Sequence, residues 1–192
     1  TITTSASAAV VTKSCTVELR EGNQKPRYKK MNDGAIQSMG LPNLGYHAYL
    51  DMLPKLSQQN KPIFISVAGL SLADNVEMIS AFQQSTADLL EINFSCPNII
   101  GKSQLGYDFE QLDNTLATIT TLGDKPLGLK LPAYFDLVQF KQVADIINKY
   151  PVSFITCVNS IGHTLVIDSE TVTPVLSDVS YTYLTLPTNY PV

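Results

Sequence analysis

Two lysines, two asparagines and a cysteine hold the positions from which this sequence could do chemistry. Lys13 and Ser14 follow the apolar run Ala8-Ala9-Val10-Val11-Thr12, and Asn93 ends Leu89-Leu90-Glu91-Ile92-Asn93. Ser95-Cys96-Pro97-Asn98 comes just beyond, Lys130 stands within Gly128-Leu129-Lys130-Leu131-Pro132, and Asn159 and Ser160 close Phe154-Ile155-Thr156-Cys157-Val158. Ammonium groups beside carboxamides, which both donate and accept, suit an anionic ligand with hydrogen-bonding edges. Lys130 points that way most strongly, because a lysine in a buried run is costly unless an anion meets it. Lys13 lies nearer a loop and fits a solvated lysine equally well. Asn93 and Asn159 could instead tie loops to the backbone. A cysteine is usually a buried, inert thiol, but Cys96 stands in a polar loop, where a neighbouring lysine can lower its pKa and make it a base or nucleophile. Cys15 and Cys157 read as structural thiols. Neither His47 nor His163 belongs to a metal-binding pair, and the cysteines lack metal-ligand spacing, so no metal site is expected.

The elements that must position these groups alternate. The five apolar runs, counting Ile63-Phe64-Ile65-Ser66-Val67, read as short parallel strands. Between them lie helical patterns. Ser71 to Asp74 has the form of a capping box before an apolar stripe of Val76, Ile79, Ala81 and Phe82. Asp136 can cap a helix with Phe140, Val143, Ile146 and Ile147 on its apolar face. Tyr107 to Leu122 gives a weaker helix with Leu112, Leu116 and Ile119 inward, and Tyr46 to Gln58 another, interrupted by Pro54. This alternation implies βα units and an α/β fold. It fits an open sheet or a closed barrel, and both bind ligands beyond the carboxyl ends of their strands. No Gly-x-Gly-x-x-Gly follows the first strand, which weakens a dinucleotide fold. Cys15 to Asn43 reads as a long polar loop, of the kind that tends to be functional.

Composition narrows the class. The chain has 192 residues, 44% of them apolar and 16% charged, enough for a real core in one domain. With 13 basic and 17 acidic residues it carries a net charge of −4, and no basic stripe suggests nucleic acid. No run approaches the roughly 18 apolar residues of a membrane span. An odd cysteine count at wide spacing and no secretory signal point to a reducing, cytoplasmic setting.

The segment Asn93-Phe94-Ser95-Cys96-Pro97-Asn98, with Gly101-Lys102 and Tyr107-Asp108-Phe109 after it, resembles the catalytic loop of dihydroorotate dehydrogenases. Within them it is similar to the soluble, fumarate-using class, in which the base is cysteine rather than serine. Thr12-Lys13-Ser14, Arg20-Glu21-Gly22-Asn23, Pro26-Arg27-Tyr28, Ser38-Met39-Gly40-Leu41-Pro42-Asn43, Gly128 to Pro132 and Val158-Asn159-Ser160-Ile161-Gly162 resemble the family in register, from about Ser5 to Asp168. The resemblance implies a partial β/α barrel of the TIM type with about five of eight units. It implies FMN as cofactor, oxidation of dihydroorotate to orotate in pyrimidine synthesis, fumarate as acceptor, and a cytoplasmic homodimer. Cys96 then matches the catalytic base. Lys13, Ser14, Asn93, Lys130 and Val158 match flavin-binding positions. Lys13, Gln37, Ser38, Met39, Gly40, Leu41, Asn93, Asn98, Asn159 and Ser160 match substrate-binding ones. Gln37 stands where the family usually has asparagine. The family's first strand and small-residue flavin loop are absent ahead of Thr1, and residues 169–192 read as a tail without resemblance, so the expected piece of barrel is residues 1–168. A catalytically silent fragment, an interaction protein, or an FMN barrel with another substrate are the alternatives.

Overall fold

The computed structural model describes residues 5–32, 34–57, 61–95, 104–162, 164–176 and, for their backbone, 183–185. Its central sheet has five strands: β1 (Val10–Val11), then, past a hairpin of β2 (Tyr28–Met31) and β3 (Gly34–Gln37), β4 (Ile63–Val67), β5 (Leu89–Asn93), β6 (Leu127–Lys130) and β7 (Val152–Thr156). All neighbours are parallel, in the order β1-β4-β5-β6-β7. Helix α1 (Tyr46–Leu56) precedes β4, while α2 (Leu72–Gln83), α3 (Phe109–Ile119) and α4 (Leu137–Ile147) join β4 to β5, β5 to β6 and β6 to β7. This is an α/β fold, a parallel portion of a β/α barrel.

The strands alternate. Ile65, Val67, Leu90, Ile92 and Leu129 are fully buried and share one core with Met78, Ile79 and Phe82 of α2 and with Leu112, Leu116 and Ile119 of α3. Fully burying each such side chain contributes about 1.5–3 kcal/mol. The residues between them, Phe64, Ser66, Glu91 and Lys130, line a cleft on the other face. The nearly continuous apolar runs are thus two-faced, with helices on one side and a polar interior on the other.

Helix starts follow local chemistry. Ser71 Oγ accepts from Asp74 N–H and the Asp74 carboxylate accepts from Leu70 N–H, while Asp136 accepts from Gln139 N–H. Asp108 caps α3 in the same way, accepting from Gln111 N–H. Pro54 does not interrupt α1, because it falls in the last turn of a helix that runs on to Leu56. Phe140 differs from the expected inward face, being half exposed.

The segment read as a loop, Cys15 to Asn43, holds the antiparallel hairpin β2–β3. Two short strands, β8 (Ile167–Asp168) and β9 (Thr173–Pro174), form a second hairpin, and β10 (Tyr183–Thr185) pairs antiparallel with β3. Among the described residues no helix is long and apolar enough to cross a membrane.

Candidate functional site

Lys13, Ser14, Ser66, Glu91, Lys130 and Thr156 line one cleft of about 380 Å³ on the interior face of the sheet. That volume lies in the range of small-ligand pockets, roughly 300–1,000 Å³. The rings of Phe64 and Phe154, with centroids 5.4 Å apart, wall it on one side. Phe154 comes close because residue 128 of the neighbouring strand is glycine, and a Cβ there would strike the ring.

Register explains the convergence. Asn93 pairs with Lys130 and Lys130 with Thr156, so three adjacent strands put polar side chains at one level. Lys130 is partly buried, and among the described residues its ammonium has no hydrogen bond or ion pair. Lys13 is exposed at the rim.

Hydrogen bonds join most of the remaining positions. Asn93 Nδ2 donates to Ser14 Oγ at 3.1 Å, and Asn93 Oδ1 accepts from Ser95 N–H at 3.1 Å and Ser95 Oγ at 2.7 Å. Asn159 Nδ2 donates to the Ser95 carbonyl at 3.2 Å, and its backbone N–H to that of Leu131 at 3.1 Å. Gln37 Nε2 reaches Ser160 Oγ at 3.5 Å while Gln37 Oε1 accepts from Met39 N–H at 2.9 Å. Ser14, Gln37, Asn93, Asn159 and Ser160 therefore gather at the carboxyl ends of the strands.

Met39, Gly40 and Leu41 are held by the preceding loop instead. Their carbonyls accept from Asn23 N–H, Arg20 Nε and Asn43 Nδ2, in that order. Gly40 has φ 71°, and a Cβ there would lie 2.6 Å from Asn23 N, so only glycine fits. The Ser38 hydroxyl is buried and has no partner among the described residues, leaving a polar atom for a ligand. Val158 is exposed. Cys96 and Asn98 lie outside the described residues, as does His163.

The stems of the segment that carries Cys96 are fixed. Gly106 N–H donates to the Phe94 carbonyl at 2.9 Å, Tyr134 Oη donates to the Gly106 carbonyl at 2.7 Å, and Tyr107 Oη to that of Ala133 at 2.6 Å. Burial pushes the Tyr134 phenol above its ordinary pKa, so it stays a donor. A Cβ on Gly106 would lie 2.5 Å from Pro132 Cδ and 3.2 Å from the Phe94 carbonyl. Gly106→Ala is accordingly expected to lower stability by about 1–3 kcal/mol through overpacking. A reduced urea midpoint at unchanged m-value checks this, and a wild-type midpoint contradicts it.

Cys15 is fully buried, and burial pushes its thiol up to about 12, which leaves no thiolate near neutral pH. Among the described residues no group of three or more His, Cys, Asp or Glu could hold a metal. Sequence reasoning passed over Ser66, Thr156 and Glu91. The signal for Glu91 was the one that marked Lys130, a charge inside an apolar run.

Comparisons with known proteins point in one direction. The family model described as dihydroorotate dehydrogenase matches residues 1–180. A putative dihydroorotate dehydrogenase A (fumarate) of Streptococcus pyogenes serotype M18 is 51% identical over 171 residues, 88% of this chain and 55% of that protein. The dihydroorotate dehydrogenase A (fumarate) of Lactococcus lactis subsp. lactis is 49% identical over 170 residues, 86% and 55% of the two lengths. The chain thus spans about half the length of the curated relatives it matches. The ligand-free Eimeria tenella DHODH crystal structure aligns with TM-score 0.69 at 16% identity, over 88% of this chain and 56% of that one. Its complex with ferulenol aligns with TM-score 0.67 at 17% identity, over 82% and 50% of the two. At that identity the likeness shows the barrel fold.

Proposed function

Because the chain belongs to the dihydroorotate dehydrogenase family, we propose that it forms the FMN and substrate site of an enzyme that oxidises dihydroorotate to orotate with fumarate as acceptor, in the cytoplasm and as a homodimer. One observation carries the reading: the partly buried Lys130 ammonium, unpartnered among the described residues, faces a cleft shared with Lys13 and Ser14. Residues 1–168 supply the barrel portion and residues 169–192 an appended tail.

The residues present fit the flavin. A flat, anionic, hydrogen-bonding group suits two ammonium groups, a serine hydroxyl and a carboxamide beside an aromatic wall. Lys13, Ser14, Asn93, Lys130 and the Val158 backbone would hold it. Bound FMN supplies the acceptor for the hydride that leaves C6 of the substrate. Cys96 takes the C5 proton, so the two departures leave the C5=C6 double bond of orotate. Asn93, Asn98, Asn159 and Ser160 meet the ring and carboxylate of the substrate, with the Ser38 to Leu41 segment and Lys13 alongside. Gln37, one methylene longer than asparagine and reaching toward Ser160, shapes the same pocket.

The test is to purify the protein, desalt it, and record its flavin spectrum and its formation of orotate from dihydroorotate with fumarate present. Flavin absorbance with orotate formation supports the reading. A protein that binds no FMN when titrated with it overturns the reading in favour of a silent or interacting chain. Flavin without orotate formation points to a different substrate.

A further inference from the structure

Glu91 is 5% exposed at the centre of β5, and none of the roles above uses it. Ser66 Oγ donates to its Oε1 at 2.7 Å and Thr156 Oγ1 donates to its Oε2 at 2.6 Å. Its partner Ser66 stands directly opposite on β4, while Thr156 is two strands away on β7. The intervening residue on β6, Gly128, has no side chain to block the span.

Hydrogen-bond directions follow from this carboxylate. A carboxylate only accepts, and a serine hydroxyl has a single proton. The Ser66 proton is therefore committed to Glu91. In its 2.9 Å contact with Ser14 Oγ, Ser66 must accept and Ser14 must donate. With its own proton spent, Ser14 can only accept from Asn93, whose Nδ2 lies 3.1 Å away. The far end demands the same orientation independently. The Ser95 backbone N–H can only donate, and it points at Asn93 Oδ1.

We propose that Glu91 is a positioning residue that fixes the donor and acceptor polarity of the site through the relay Asn93–Ser14–Ser66. Ser14 then meets a ligand as an acceptor, with one lone pair left, and Asn93 keeps one N–H as a donor. That pair matches a ring edge carrying an N–H beside a carbonyl, as imide and ureide rings do. The inference deepens the proposed function, since such an edge occurs on both the flavin and the pyrimidine substrate.

Two variants separate polarity from charge. Glu91→Gln can turn an NH₂ group toward Ser66, which frees the Ser66 proton and lets the Ser14–Ser66 contact run either way, so that Ser14 is no longer held as an acceptor beside Asn93. Ser66→Ala keeps the carboxylate charge and cuts the relay. Two readouts are taken: the side-chain amide cross-peaks of Asn93 in ligand-free protein by NMR, identified by their loss in Asn93→Asp, and the FMN dissociation constant by flavin fluorescence. In both variants the Asn93 amide is expected to shift and exchange faster with water, and the FMN dissociation constant to rise about tenfold, the scale of one mispaired buried group. Ser66→Thr, which keeps the hydroxyl, is expected to restore both.

An Asn93 amide that stays as in wild type in both variants overturns the proposal, whether FMN affinity falls with the lost charge or only the melting temperature drops. Should Glu91→Gln fail to fold, Ser66→Ala decides alone. Should wild-type protein bind no FMN, the proposed function falls, while the amide response still decides the relay.

Discussion

Replacing Cys96 with alanine in the flavin-loaded protein is expected to slow dihydroorotate oxidation by about 10²- to 10⁴-fold while flavin stays bound, the usual range for loss of a general base. The described part of the site offers no substitute. Glu91 has both oxygens occupied by hydroxyls, Cys15 is buried as a neutral thiol, and His47 lies on α1, outside the cleft. The described residues on either side of the Cys96 segment are held by the Asn93–Ser95 and Gly106–Phe94 contacts, none of which uses the Cys96 side chain. The pH dependence gives a second check. An ordinary thiol titrates near 8.5, so if Cys96 is the base, wild-type turnover is expected to fall as pH drops and the thiol is protonated. A serine hydroxyl loses its proton only at far higher pH. Cys96→Ser is therefore expected to recover activity in part, with its rising limb displaced upward in pH. Steady-state rates across pH, with the flavin spectrum as the occupancy control, decide the matter. Unchanged turnover in Cys96→Ala overturns the assignment.

What could be read from the sequence depended on whether the signal was local. The bounds of β4 and β5 followed from short apolar runs, and the starts of α2 and α4 from a hydroxyl or carboxylate placed to meet orphan N–H groups. β2 gave no such signal, because all four of its residues are exposed and show neither alternation nor an apolar face. β7 was displaced toward the carboxyl end: Ser153 and Ile155 are exposed, so the apolar run ran past its true end to Val158. In the site, Lys130, Asn93 and Lys13 were legible as polar residues at strand ends. The Glu91 network was not, because it depends on register. Its partners Ser66 and Thr156 are 25 and 65 positions away in sequence, and only the pairing of four strands sets them beside it. The same holds for Asn159, which meets the Ser95 carbonyl across 64 positions.

Lys130→Ala is expected to slow reduction of the bound flavin by dihydroorotate about 10²-fold while leaving the melting temperature close to wild type. The split follows from the surroundings of the side chain. Lys130 is partly buried, and among the described residues its ammonium makes no ion pair or hydrogen bond, the Glu91 carboxylate of the same cleft being taken up by two hydroxyls, so its removal breaks none of the described contacts. A partly buried charge held in no direct ion pair is a cost to folding, and alanine relieves it. Catalysis runs the other way. Under the proposed function, a hydride accepted by bound flavin would add negative charge there, and the Lys130 ammonium would stabilise that charge more as it develops than before the reaction begins. Loss of a single such electrostatic contact typically costs about 10²- to 10³-fold. Lys130→Arg keeps the charge but spreads it over a planar fork, and it is expected to fall between wild type and alanine. Stopped-flow flavin bleaching paired with thermal melts separates the two effects. A large loss of stability at wild-type reduction rate would make Lys130 a structural residue. Slow reduction in a protein that melts normally places its charge where the reaction develops its own.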